Sequence, residues 1–334
     1  MSTSANATIS FELDPWGKLA ARRDEAAWRA QASEADRAAA QLSLIGTTAK
    51  LYWRIGYLNE SIASGEAAIA DAVRTLSMIE AKRASGAASP LDVAQARQQL
   101  AHVRAEQAQW RIERESKRNA LALLLDGPPE ARGPEPENII GALLPAVPVR
   151  LPAFVLARRP DLRAAESRLR ATMANVDVTR AAMYPSIALT SEFGTSSDML
   201  VRTLQNPVAS IGAALALPFV QWKAVRLAAA ISKNEFEEAS IGFHQQVYLA
   251  LADVENALAA KVQLEAQAVQ RARSLEDAAF GAAYARTRFE LGATDAAPWL
   301  EAQAAHRAAG QDRIRNQLAR LENRIDLFLA LGGA

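Results

Sequence analysis

Cysteine is absent from the 334 residues, which excludes a disulfide framework and any thiolate metal site and leaves the redox compartment open. Aromatic residues are scarce, 6% against 50% apolar residues overall, so the chain has material for a large structure but not for an aromatic-rich core. No apolar run reaches eighteen residues, which excludes a membrane-spanning helix. Met1 to Ala7 offer neither a charged n-region nor an apolar h-region, so no signal peptide is recognisable there. Neither sign of charge is in excess: the formal net charge is +1, the basic residues are scattered, and nucleic acid is not a partner this distribution favours. His102, His244 and His306 stand far apart without ligand spacing, and no nucleophile elbow, phosphate loop or catalytic carboxylate pair occurs. The sequence therefore assigns no catalytic residue, no cofactor and no metal, and points away from an enzyme.

What is abundant is alanine, accompanied by leucine, glutamate, glutamine and arginine. These are the strongest helix formers, and the mixture is that of long or coiled helices. An internal repeat organises them. An offset of 206 places Gly86 on Gly292, Ala87 on Ala293 and Ala96 on Ala302, then carries Leu121, Leu123, Leu125 and Gly127 onto Leu327, Leu329, Leu331 and Gly333 without a gap. Trp16-Gly17-Lys18 meets Gln221-Trp222-Lys223 with one residue of slippage. Each half reads as strand, long helix, turn, long helix.

In the first half, Leu51, Ile55, Leu58, Ile62, Gly65, Ile69, Ala72, Leu76 and Ile79 follow one another in steps of four and three, a seam that drives helices to supercoil. Beyond a turn at residues 84–90 the same steps run from Val93 through Leu100, Val103, Gln107 and Trp110 to Leu121. The two helices are expected to pack antiparallel. Unbroken from Lys18 to Arg83, the first is roughly 100 Å long at ~1.5 Å per residue, far beyond a compact domain. Gly86 suits a helix C-terminus, and Ser89-Pro90 suits the cap and first position of the next helix.

Three segments alternate instead with period two: Ile9, Phe11 and Leu13; Ile187, Leu189 and Phe193; Ile211, Ala213, Leu215, Leu217 and Phe219. They read as strands with one apolar face, seven to eleven residues long, near the ~9–11 residues of a tilted membrane strand. Alternation alone fits an ordinary small sheet packed on helices better than a membrane wall. Trp16, Tyr184, Phe219 and Trp222 sit where strands meet helices, the place of an interfacial girdle, and helices so long leave little protein to cover the apolar face. Three strands cannot close a barrel, and open edges are not tolerated in lipid, so several copies have to pool their strands. A soluble coiled-coil scaffold is the competing reading, but a scaffold has no use for a lipid-facing band.

The block Arg158-Arg159-Pro160-Asp161-Leu162-Arg163, with Leu151 to Ala157 before it, and the passage from Ala181-Ala182-Met183-Tyr184-Pro185-Ser186 into Thr190-Ser191-Glu192-Phe193-Gly194 resemble the outer-membrane efflux proteins of the TolC superfamily, in particular the NodT-like lipoprotein branch of RND efflux systems. The resemblance covers essentially the whole chain. It implies a mainly α fold with a minor β part, in which long antiparallel coiled-coil hairpins form a periplasmic α-barrel and the strands contribute to a trimeric transmembrane β-barrel. Residues 1–127 are then a partial first repeat, with a strand at 8–14, a hairpin at 18–125 and its tip at 84–90. Residues 128–158 are a connector rich in Pro and Gly. Residues 159–334 form the second repeat, with a helix at 160–183, strands at 185–194 and 209–219, a hairpin at 223–331 and its tip at 290–298. The first half starts at its second strand, so the equivalent of Leu162 to Val208 is expected ahead of Met1, with an export signal and an acylated cysteine.

The resemblance further implies a passive duct for drugs or other small molecules in the outer membrane, working as a homotrimer with a periplasmic adaptor and an inner-membrane pump. Asp92 falls on a gate-linkage acid and Glu301 on a constriction acid, although both positions also suit a solvated helix face. Pro298 and Thr294 depart from the acid and the arginine that some members carry there. Gly86, Ala87, Gly292 and Ala293 fall on the small-residue tips that meet the adaptor. A three-fold ring of Glu301 would concentrate negative charge.

Overall fold

The computed structural model describes residues 3–142, 158–197, 207–217 and 221–333. In chain order these form β1 (Thr3–Leu13), α1 (Lys18–Ala84), α2 (Pro90–Leu124), α3 (Pro160–Ala181), β2 (Ser186–Ser197), β3 (Pro207–Ala216), α4 (Trp222–Glu290) and α5 (Ala297–Ala330). The chain divides into two compact units, one of Met1–Ala39 with Ala157–Ala250 and one of Ala40–Leu156 with Leu251–Ala334. No described helix is long and apolar enough to cross a membrane.

The first unit holds an antiparallel sheet in the order β1-β2-β3. Its register pairs Phe11 with Leu189 and Leu189 with Ala213, and likewise Leu13 with Ile187 and Ile187 with Leu215. Since directly opposed residues share a face, Ile9, Phe11, Leu13, Ile187, Leu189, Phe193, Ile211 and Leu215 form one apolar surface across all three strands. Thr8, Ser10, Glu12, Thr190, Glu192, Ser210 and Gly212 lie on the other. The apolar surface is uncovered: Ile9 is 73%, Phe11 63% and Ile211 88% exposed.

β1 starts at Thr3, five residues before the alternation does, because Thr3 to Ala7 continue the backbone ladder opposite Ser197 to Phe193. β3 runs from Pro207 to Ala216, opening two residues before the expected start at 209 because Pro207 and Val208 pair with Thr195 and Gly194; residues 218 and 219 of the expected strand lie outside the described residues. Pro207 occupies the first position of an edge strand, where its missing N–H costs little.

α3 opens with Pro160 at its first turn, where proline needs no N–H. The Arg159 guanidinium is buried and grips Asp161 with two bonds of 3.1 and 2.8 Å, while Asp161 also accepts the Gln246 amide of α4 at 3.2 Å. Burial works against the Asp161 charge, yet Arg159 and Gln246 outweigh it and hold the carboxyl below its usual range. The Arg-Pro-Asp block is thus a start signal for α3 that also pins it to α4. Farther along, the Thr179 and Ser232 hydroxyls meet at 2.7 Å.

In the second unit the four-three seam of α1 is buried, with Ile55, Leu58 and Ile79 at 0% exposure. At Gly65 the helices approach so closely that a Cβ would stand 2.7 Å from the Trp110 ring and closer still to the Gln107 carbonyl. Gln107 itself donates to Ile62 O at 3.2 Å, so the amide N–H of a polar seam position is taken up by backbone while its Oε1 stays buried without a hydrogen bond. Between α2 and the end of the described connector at 142, Ile139 and Ile140 donate their N–H groups to Glu60 at 2.8 and 3.2 Å, and Arg118 grips Glu135 at 2.8 and 2.6 Å. Tyr57, Leu58, Ile139, Ile314, Leu318 and Leu321 make the core there.

Candidate functional site

Both hairpin tips turn in the same way. Past α1, Gly86 at φ +80° lets the Ala87 N–H reach Lys82 O at 2.8 Å; past α4, Gly292 at φ +73° lets the Ala293 N–H reach Arg288 O at 2.9 Å. These are helix ends with a left-handed residue one place beyond the cap, a conformation that costs glycine little. The 206-residue offset is therefore a geometric repeat at this point.

The two tips are tied together by two side chains of opposite charge, Asp92 and Lys82. Ser89 and Asp92 form a capping box at the start of α2: the Asp92 carboxylate accepts the Ser89 N–H at 2.7 Å, and the Ser89 hydroxyl accepts the Asp92 N–H at 3.1 Å. The second Asp92 oxygen accepts the N–H of Ala296 at the start of α5, at 3.3 Å. Burial opposes the charge of Asp92, but the Ser89 N–H, the Ser89 hydroxyl and the Ala296 N–H together draw its carboxyl below the usual range.

Lys82, in the last turn of α1, does the converse at the end of α4. Its ammonium donates to Phe289 O at 2.5 Å and Glu290 O at 3.1 Å and lies 4.3 Å from the Phe289 ring centroid. An anion at one helix start and a cation at another helix end both oppose the local dipole charge. Under these polar ties lies an apolar cluster of Ile79, Ala96, Phe289, Ala296, Trp299 and Leu300, with Phe289 and Trp299 stacked at 5.1 Å.

Glu301 lies in the same tip, exposed on α5, apart from this network. Gly86, Ala87, Gly292 and Ala293 form the exposed or half-exposed turns themselves. Lys82 was not singled out by motif, although a basic residue in a last helical turn is a recognisable signal.

At the strand-to-helix junction of the first unit, the Trp16 indole N–H donates to Pro185 O at 2.9 Å and its ring stacks on Tyr184 at 4.7 Å. Both are half exposed, as is Trp222, the first residue of α4. Phe219 lies outside the described residues. Glu12 bonds Lys18 at 3.1 Å, and Asp14 accepts the Ala20 N–H at 2.9 Å, so the turn from β1 into α1 is held by both acids. Among the described residues, no group of three or more His, Asp or Glu side chains could hold a metal ion.

With this geometry the chain is similar to known proteins over its whole length. The family described as outer membrane efflux protein matches residues 1–127 and 151–333. A pyoverdine export outer membrane protein, OpmQ, of Pseudomonas putida is 30% identical, over 99% of this chain and 71% of the relative. A probable efflux pump outer membrane protein, SepC, also of Pseudomonas putida, is 31% identical over 98% and 68%. Among solved structures, the open state of the Neisseria gonorrhoeae MtrE outer membrane channel superposes with a TM-score of 0.88 at 27% identity, covering 100% of this chain and 80% of that one. The outer-membrane channel OprN gives 0.91 at 24% identity, covering 100% and 81%.

Proposed function

The chain belongs to the outer membrane efflux protein family, and from that premise we propose that it is one subunit of a homotrimeric duct through which small molecules pass passively to the cell exterior. One observation carries this reading: the apolar face that runs across β1, β2 and β3, with Ser191 as the polar residue between Ile9 and Ile211, is uncovered, while the opposite face bears Thr, Ser and Glu. Lipid outside and water inside is the environment that such a two-sided sheet fits. The half-exposed Trp16, Tyr184 and Trp222 then sit at the lipid headgroups. Open edges at β1 and β3 require neighbouring copies to complete the wall.

The tips are the periplasmic gate in this reading. Asp92 holds them closed, Glu301 lines the constriction, and Gly86, Ala87, Gly292 and Ala293 meet the adaptor that couples the duct to an inner-membrane RND-type pump. Export of pyoverdine belongs to one relative and pump association to another; by kinship the cargo here is a small molecule chosen by the pump. The duct itself performs no covalent chemistry.

Because the chain has no cysteine, single introduced cysteines report cleanly. Phe11→Cys, Leu189→Cys and Ile211→Cys, labelled with a polarity-sensitive dye in lipid vesicles, should emit in the blue and be quenched by brominated acyl chains. Ser10→Cys, Thr190→Cys and Gly212→Cys should emit as in water. Equal emission from both sets would overturn the proposal.

A further inference from the structure

Where the sheet of the first unit gives way to its helices there is a cavity of about 360 Å³, lined by the ends of all three strands, the end of α3 and the turn into α1. That volume is at the lower end of the ~300–1,000 Å³ of small-ligand sites. Part of the lining is apolar: Leu13, Leu217, Trp16 and Tyr184 all contribute, and all are exposed. Leu13 shares its face with Phe11 and Ile9, so the cavity is continuous with the uncovered apolar surface of the sheet. The rest is polar. Glu12, Asp14 and Lys18 also line it, and with two carboxylates against one ammonium a single negative charge is uncompensated.

The bonds already made there leave capacity of both kinds. Lys18 spends one N–H on Glu12 Oε1 at 3.1 Å, and an ammonium has three donors. Glu12 Oε2 accepts no hydrogen bond among the described residues. Asp14 accepts the Ala20 N–H through Oδ2, and a carboxylate offers about four acceptor positions. The bond from Trp16 to Pro185 O and the stack on Tyr184 fix an aromatic face in the same cavity, and such a face attracts cations within about 6 Å. A purely anionic ligand would add to the uncompensated charge, and a purely apolar one would leave the spare donors and acceptors unused. A group that carries both an ammonium and a phosphate matches both.

We infer that this cavity seats the headgroup of a phospholipid that bears a primary ammonium. Glu12 and Asp14 accept the ammonium beside the Trp16–Tyr184 stack, Lys18 donates to the phosphate, and the acyl chains lie along the apolar face from Leu13 towards Phe11 and Ile9. The inference rests on the lipid-facing reading of the sheet and adds to it a headgroup preference at one level of the bilayer, the boundary where the strands enter the helices. A cavity of this size holds a headgroup and not a whole lipid, so the chains belong outside it, where the uncovered face already offers them a surface. A headgroup with a phosphate and no amine brings a second negative charge to a place that has one in excess, and like charges repel.

The full chain, reconstituted in vesicles of equal parts phosphatidylethanolamine and phosphatidylglycerol and then extracted in mild detergent for native mass spectrometry, tests this. Phosphatidylethanolamine should be retained about fivefold over phosphatidylglycerol. Glu12→Gln combined with Asp14→Asn, uncharged but similar in shape, should bring the ratio close to one, and Trp16→Leu should lower it about twofold. Lys18→Met should reduce the total lipid retained. Should Asp14→Asn loosen the turn into α1, seen as lost hydrogen-exchange protection at Ala20, Glu12→Gln alone still removes one charge and should roughly halve the ratio. Equal retention of the two lipids by the unaltered protein, or a ratio that survives the double substitution, would overturn the headgroup site while leaving insertion in lipid intact. Protein that enters vesicles of neither lipid would overturn the lipid-facing reading as well.

Discussion

Asp92 accepts the backbone N–H of Ala296 at 3.3 Å although 204 residues separate them in the chain, and the same carboxylate closes the capping box of its own helix. One side chain therefore holds the start of α2 and the start of α5 together. Replacing it by alanine removes the N3 acceptor of the capping box and an anion from the first turn of α2, about 0.3–1 kcal/mol, and leaves the Ala296 N–H without its acceptor in a buried setting, about 1–3 kcal/mol more. Asp92→Ala should raise amide hydrogen exchange at Ala296 and around Ser89 and increase single-channel conductance of assembled ducts. Asp92→Asn, which still accepts hydrogen bonds, should fall between. Unchanged protection at Ala296 in the alanine variant would remove Asp92 from the tie.

The sign of the pH effect follows from the same bonds. The Asp92 carboxyl in the folded tip sits below its usual range because the bonds from Ser89 and Ala296 outweigh burial. Its contribution is therefore fully present above the unfolded value of about 3.9 and is lost as pH falls through the lower folded value. Tip exchange, corrected for intrinsic rates, should be flat from pH 5 to 8 and accelerate below about pH 4. In Asp92→Asn the acid limb should shrink.

Lys82 supplies the opposite charge at the end of α4. Lys82→Met keeps the aliphatic stem but removes two bonds to terminal carbonyls and the cation over Phe289, a loss of about 1 kcal/mol for a half-buried helix-end cation. Lys82→Arg should retain most of it. Electron–electron distance measurements between spin labels on the two tips should show a broadened distribution for the methionine variant. With Asp92→Ala added, the two effects should exceed additivity, because both ties hold the same pair of tips.

What was legible in the sequence is what depends on one element at a time. The α1 seam from Leu51 to Ile79 announces its buried face because a heptad is a property of a single helix, and the apolar alternation of Ile9, Phe11 and Leu13 does the same for β1. Thr3 to Ala7 carry no such signal, since their strand character comes from pairing with Phe193 to Ser197. Gly65 was readable as a seam position, but the reason for glycine lies on α2, in Gln107 and Trp110. Lys82 was invisible as a tie for the same cause: its acceptors belong to residues 207 and 208 places away. The resemblance placed Asp92 at the gate, yet its capping box could have been read directly from Ser89-Pro90-Leu91-Asp92.

Gly65 yields a prediction about helix approach. A Cβ there would meet Gln107 and Trp110 at less than van der Waals distance, and Gln107 is already committed to Ile62 O. Gly65→Ala should gain helix propensity of about 1 kcal/mol but lose more by displacing Gln107, with a net destabilisation of about 1–2 kcal/mol. Pairing it with Gln107→Ala should recover most of the loss in thermal unfolding. A stabilised Gly65→Ala single variant would mean that α1 and α2 are not in close contact there.

The repeat permits a last comparison between equivalent helix ends. After α2 the left-handed position is Asp126 at φ 57°, and the Gly127 N–H reaches Ala122 O at 2.9 Å; after α5 the same position is Gly332 at φ 78°, and the Gly333 N–H reaches Phe328 O at 3.0 Å. Aspartate tolerates this conformation better than most residues but less well than glycine. Asp126→Gly should therefore leave the protein unchanged or stabilise it by a few tenths of a kcal/mol, the relief of the left-handed backbone being partly offset by greater freedom of the unfolded chain. Gly332→Ala forces a β-carbon into the left-handed region and should destabilise by about 1 kcal/mol. If both variants shifted the unfolding midpoint in the same direction, the two helix ends would not share the geometry that their 206-residue spacing implies.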